Sequence, residues 1–345
     1  MEFQLKALTD IWTGGIDGRP DGTYLTGIKG SIRWWYEALI RGLKRHACDP
    51  VNRAKTCPPF QMTSERIEMV TAGGRIENIV KQAGVCPTCY LFGCTGWSGK
   101  FRLRIKKKEG VLRPSMDVIK ANKPFALEFV PLKQFEPAEE ILLAMTLKLV
   151  VEYGAIAGRT TFKPSEISKK NTKLHHTDFG VIMRGEKSNI PEDRIGHERV
   201  TPYLDGFSMP NKEDLSKKDD LPDLRYFWFV KGRHLNRLEM NQLVHRTPIG
   251  GYDPSGLTAA DVIRGGFIPR EKSQLPPQIK QSLPNVTSAS KKIFSFHGQG
   301  TNGAAERCFG YTTADEFERL IKMIEAVPTL SGAVVEKGTD LLRSL

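Results

Sequence analysis

Residues 100–106 read KFRLRIK and alternate without a break. Phe101, Leu103 and Ile105 fall on one face of an extended chain, and Lys100, Arg102, Arg104 and Lys106 on the other. Such a strand calls for a sheet with one face covered by helices and the other open to solvent. The neighbouring segments supply that unit. EFQLKAL (2–8) alternates with Phe3, Leu5 and Ala7 on one side, and TGGIDGRPDGTYLTG (13–27) is turn chemistry throughout. From about Ile28 the apolar positions Ile28, Ile32, Trp35, Leu39 and Leu43 follow a helical stripe. PFALEFVPL (124–132) reads as a further strand. FEPAEEILLAMTLKLVVEYG reads as a helix with Pro137 in its first turn and Gly154 as its stop.

Strand, helix, strand, strand, helix is most of a ferredoxin-like βαββαβ unit. The sequence therefore predicts an α+β fold of two tandem ferredoxin-like (RRM-like) units with insertions. The first covers 1–162 and carries a cysteine-bearing insertion at about 46–98. A polar, loop-rich insertion or linker follows at 163–223 and includes the charged run NKEDLSKKDDLPD. The second unit, 224–345, rests on RYFWFVK (225–231), a short helix at 257–265, strands at 291–296 and 307–312, and a helix at 313–327.

Lysine and arginine outnumber aspartate and glutamate by 51 to 39, a net charge of +12, which favours a polyanionic partner. The excess is dense at 100–113, where seven of fourteen residues are basic and only Glu109 is acidic. A row of cations on an open sheet face can follow a single strand's phosphates, although charges on an edge strand also discourage aggregation. The longest apolar run, Ile141–Val151, is interrupted by Lys148 and is too short for a bilayer, and MEFQLKALTD lacks the pattern of a signal peptide. A cytoplasmic chain with no membrane partner is the expectation.

The helix GIKGSIRWWYEALIRGLKR (27–45) joins two tryptophans to several cations. Trp35 belongs to the buried stripe. Trp34 lies about 100° round the helix, beside Ala38, Arg41 and Arg45, while Lys29 and Arg33 sit one turn apart near the start, where backbone N–H groups favour phosphate. Either this is a cationic side able to hold RNA, or two core tryptophans accompany solvated arginines.

Five of the six cysteines lie within residues 48–94, which suggests a local metal knot. Cys86 and Cys89 form a CxxC turn, Cys48 and Cys57 supply a second pair for zinc, and Cys94 and His46 stand in reserve. Buried inert thiols are the alternative. Gly298, Gly300 and Gly303 follow a strand, but no parallel βαβ unit accompanies them, so they are read as a loop that lets backbone approach a ligand and not as a dinucleotide site. His297 in that loop is a candidate acid–base residue, and His175 and His176 read as surface. Asp17 and Asp21 lie in the glycine-rich loop after the first strand, where an aspartate can bind metal or act as a base but more commonly forms a turn.

LTDIWTGG, GIKGSIRWWYEAL, CPTCYLFG and YGAIAGRT occur in the order found in the RAMP superfamily of CRISPR systems. The chain resembles in particular the first subunits of type III-B (Cmr) effector complexes, with their TP-aromatic-TGG start, KG-x-x-R-W/F-W helix and LFG turn. The likeness is strong over 1–160 and looser beyond; TFKPSE follows GAIAGRT where the family often continues with a glycine–aromatic–glycine run. The resemblance implies a ferredoxin-like fold and a non-catalytic RNA-binding subunit that contacts the guide RNA 3′ region or target single-stranded RNA, alongside other RAMP subunits. By position, Lys29, Arg33 and Trp34 match the helix motif and Arg159 the G-x-R element; the glycine loop resembles the family's C-terminal one. Arg41, Arg45, Arg102, Arg104, Gly298 and Gly300 complete the expected RNA-binding set. Two alternatives stand: a metal-dependent RAMP endoribonuclease using Asp17 or His297, and a zinc-stabilised protein-interaction scaffold.

Overall fold

A computed structural model describes residues 1–11, 13, 22–50, 56–107, 110–113, 117–157, 179–191, 196–208, 221–235, 239, 243, 293–298 and 301–344. Strand β1 (Glu2–Ala7) leads to helix α1 (Leu25–Gly42). The helix stops where Lys44 takes a left-handed conformation, φ 58°; its N–H donates to the Arg41 carbonyl at 2.8 Å and that of Arg45 to Ile40 at 3.0 Å, closing the orphan carbonyls. The insertion holds α2 (Ser64–Thr71), α3 (Ile76–Gln82), α4 (Pro87–Phe92) and the short pair β2 (Gly93–Cys94) and β3 (Trp97–Ser98). Strands β4 (Phe101–Lys107), β5 (Gly110–Val111) and β6 (Pro124–Pro131) follow, then α5 (Pro137–Tyr153), opened by a Glu136/Glu139 capping box with proline in its first turn.

The first sheet runs β5-β4-β6-β1-β7, all pairs antiparallel. Its last member, β7 (Ile182–Arg184), comes from beyond residue 162. The N-terminal unit therefore extends past the sequence-based boundary, and 163–223 is not simply a linker. Three residues are too few to show periodicity; only pairing with β1 makes this segment a strand. The same region also contributes α6 (Thr201–Asp205).

The second sheet contains β8 (Phe227–Lys231), β9 (Ile293–Phe296), β10 (Arg307–Tyr311) and β11 (Glu336–Lys337), ordered β11-β8-β10-β9. Leaving out β5, both sheets place their strands in the order fourth, first, third, second. The second unit's later helix is α7 (Phe317–Glu325), and α8 (Gly338–Ser344) closes the chain. The helix expected at 257–265 lies outside the described residues.

Helices α1 and α5 are covered on both sides, by the first sheet and by the second. Trp35 lies 5.3 Å from Phe309 and 5.8 Å from Phe227, centroid to centroid, and donates its indole N–H to the Ala155 carbonyl at 3.0 Å. Gly154 permits this, since a Cβ there would stand 2.4 Å from the Trp35 ring. Trp34 meets Phe227, Phe294 and Tyr311 edge-on at 5.8–6.0 Å. Both tryptophans thus serve the layer between the sheets, Trp35 buried and Trp34 half-buried. Trp34→Ala is expected to cost about 3–5 kcal/mol, read as a lower denaturant midpoint with α1 otherwise intact.

Lys100, expected on the solvent face of β4, is 1% exposed and ion-paired at 2.9 Å to Glu139, itself 0% exposed. It lies at the bend before the strand, where the alternation of faces does not yet hold. Tyr203 donates its hydroxyl to the same carboxylate at 3.0 Å.

Candidate functional site

The four cysteines proposed from spacing come together. The sulfurs of Cys48, Cys57, Cys86 and Cys89 all lie within 4.8 Å of one another, all four residues are buried, and none is in a disulfide. Cys48 follows α1, Cys57 opens the insertion, Cys86 caps α4 and Cys89 lies within it. The Cys86 N–H donates to the Cys57 sulfur at 3.2 Å and the Cys89 N–H to Cys86 at 3.4 Å, as backbone amides do for thiolates. Hydrogen bonds from its three neighbours hold the Cys48 thiol far below its ordinary range. Those contacts push Cys57 and Cys89 up, and burial does the same to Cys86. Four sulfurs at tetrahedral metal–thiolate distances of about 2.3 Å would be about 3.8 Å apart, and Cys48 and Cys89 are 3.4 Å apart here. The group fits a metal ion. Among the reserves, Cys94 is half-buried beside Cys89 and His46 is half-buried with its pKa lowered by burial; neither belongs to the four.

The cations of α1 are largely spent inside the protein. Arg33 donates to Glu37 at 2.8 Å, to the Gly93 carbonyl at 3.1 Å and to the Cys89 sulfur at 3.3 Å. Burial lowers its pKa, but the bond to Glu37 and the charges of Cys89, Glu37 and Cys48 outweigh that and raise it above its ordinary value. A guanidinium against the thiol cluster offsets the negative charge of thiolates. Arg41 is 4% exposed and donates to the carbonyls of Ala47, Cys48 and Pro222. Arg45 pairs with Asp205 at 2.5 Å. Lys29 lies 4.7 Å over the Phe101 ring, its pKa lowered by burial and by Arg33. The cationic side read from helical spacing is therefore a set of internal fastenings, because the insertion and the second unit fold over it.

The open face of the first sheet carries the remaining charge. Glu2, Gln4 and Lys6 from β1, Arg102, Arg104 and Lys106 from β4, and Ala126, Glu128 and Val130 from β6 point to that side. Lys106 is held by Glu128 at 2.7 Å and Glu2 at 2.6 Å, and Arg104 lies 4.0 Å from Glu128. No described carboxylate pairs with Arg102, which is exposed. These three strands place no aromatic ring on this face. It can grip phosphates, but it offers nothing for bases to stack upon.

Residues 4–163 match the RAMP superfamily. A search of solved structures also matches the apo crystal structure of Cmr1 from Pyrococcus furiosus at 10% identity, covering 98% of each chain with a TM-score of 0.39. No curated protein matches. No helix among the described residues is long and apolar enough to cross a membrane.

Asp17, Asp21, Arg159 and Gly300 lie outside the described residues, as do His175 and His176. Gly298 has φ 63°, and a Cβ there would meet the Glu306 amide at 2.7 Å, so the loop requires glycine. Sequence reasoning missed the partners of His297. Its ring lies 3.9 Å from that of His234, whose Nδ1 is 2.5 Å from Glu306. It also missed buried Arg307, which donates to the Val151 and Gly154 carbonyls and ties the second sheet to the end of α5. Residues more than 60 apart in the chain left no local signal of either contact.

Proposed function

We propose that this chain is a non-catalytic RNA-binding subunit of a type III-B CRISPR ribonucleoprotein, with zinc in the four-cysteine centre. The observation that carries the RNA reading is the exposed Arg102–Arg104 row on the open sheet face of a RAMP domain. It is a backbone grip: cations without stacking rings hold phosphates irrespective of base, and in a guide-directed assembly the sequence is read by pairing. The partners are guide or target single-stranded RNA and other RAMP subunits. Four buried thiols with Arg33 alongside favour zinc over an oxygen-loving metal. That centre is structural, since all four positions are filled by protein and none is open to substrate.

The test is fluorescence anisotropy with a roughly 40-nucleotide single-stranded RNA across a salt series. Each lost phosphate contact should flatten log K against log salt by about 0.7, so Arg102→Ala/Arg104→Ala should lower the slope by about 1.4. Lys29→Ala/Arg33→Ala should leave the slope unchanged while lowering stability. RNA recovered at full length after the titration agrees with a non-catalytic role; cleavage that vanishes in Asp17→Ala would move the reading to an endoribonuclease. A slope unaltered by the Arg102/Arg104 substitutions would exclude this face.

A further inference from the structure

The four-thiol centre brackets a projection. Cys57 precedes it and Cys86 follows, so the stretch 58–85 leaves and returns through one knot. On the return, α3 buries Ile79, Val80 and Lys81. On the way out, α2 buries nothing, and every residue from 61 to 75 except Arg66 is exposed. Thr63 caps α2, but helices shorter than about 12–15 residues are marginal in water without a packed face.

That face is apolar. Eight large hydrophobic side chains are exposed among the described residues, and four of them fall between 62 and 70: Met62 at 45%, Ile67 at 49%, Met69 at 43% and Val70 at 37%. Helical spacing puts Ile67, Met69 and Val70 within an arc of about 160°, with Glu65 bordering it and Glu68 on the opposite side. Arg66 falls inside that arc by number but is turned away, donating to the Gln61 carbonyl at 2.5 Å with its guanidinium over the Phe60 ring. Residues 61–74 hold two acids and one base in a chain of net charge +12. A surface of that charge repels phosphate. A second copy would set Glu65, at the border of the arc, against its own counterpart.

We infer that α2 docks into an apolar groove rimmed by lysine or arginine on another protein subunit, with the metal centre holding the projection at its base. This is helix-in-groove recognition with charge complementarity at the rim, and it rests on the reading of the chain as a subunit of a ribonucleoprotein. The test uses full-length protein purified within its native assembly, with Met69 replaced by the photo-crosslinker p-benzoylphenylalanine. Irradiation should join it to one other protein subunit, at an apolar site flanked by basic residues. Ile67→Glu/Val70→Glu should reduce recovery of that subunit about tenfold, equivalent to about 1.4 kcal/mol, while the melting temperature and RNA anisotropy of the isolated chain stay unchanged. A crosslink to RNA or to a second copy, or normal co-purification of the variant without any crosslink, would overturn the docking proposal alone. A wild-type chain that co-purifies with no other subunit would overturn both proposals.

Discussion

Replacing Cys86 and Cys89 together by serine is expected to abolish metal binding and to lower the melting temperature sharply. The native protein should hold one zinc per chain by elemental analysis, and the variant none. Four buried sulfurs within 4.8 Å join the end of α1, the start of the insertion and α4, so the centre ties together segments distant in the chain. Loss of a structural metal belongs with the largest single-site effects, above about 4 kcal/mol, which in a domain of this size is a fall of roughly 8–16 °C. A chelator should reproduce the effect at neutral pH, and acid should do so too, because thiolate ligands must remain deprotonated. Zinc content unchanged in the double variant would show that these thiols are an inert cluster.

Glu139→Gln should be almost as damaging, for the opposite reason. The substitution removes the nearer countercharge of Lys100, 1% exposed, and leaves only Glu136, 3.9 Å away and already paired with Lys81, at a cost of about 3 kcal/mol by chemical denaturation. Adding Lys100→Met should recover most of that loss, because an apolar side chain needs no partner there. Burial raises the Glu139 pKa, while Lys100, the Glu136 amide and the Tyr203 hydroxyl draw it back down.

Much of this molecule is legible in its residues. Alternation at 2–8, 100–106 and 124–132, the helical stripe from Ile28 and the proline-to-glycine span of α5 determined strands β1, β4 and β6 and helices α1 and α5, because period and punctuation are local properties. The CxxC and two earlier cysteines named the thiols that come together. What the chain could not disclose is what covers a face already served by one layer. Trp34, Arg33 and Arg41 lie on a side of α1 outside its apolar stripe; the second sheet, with strands between 227 and 337, and the insertion close over it. The same holds for Lys100, whose partner is 39 residues away, for β7, which is a strand only because β1 offers it hydrogen bonds, and for His234, His297 and Glu306. Sequence periodicity reports whether a residue faces the nearest layer. Whether a second layer arrives on the other side depends on contacts between distant segments, and only the tertiary structure decides those.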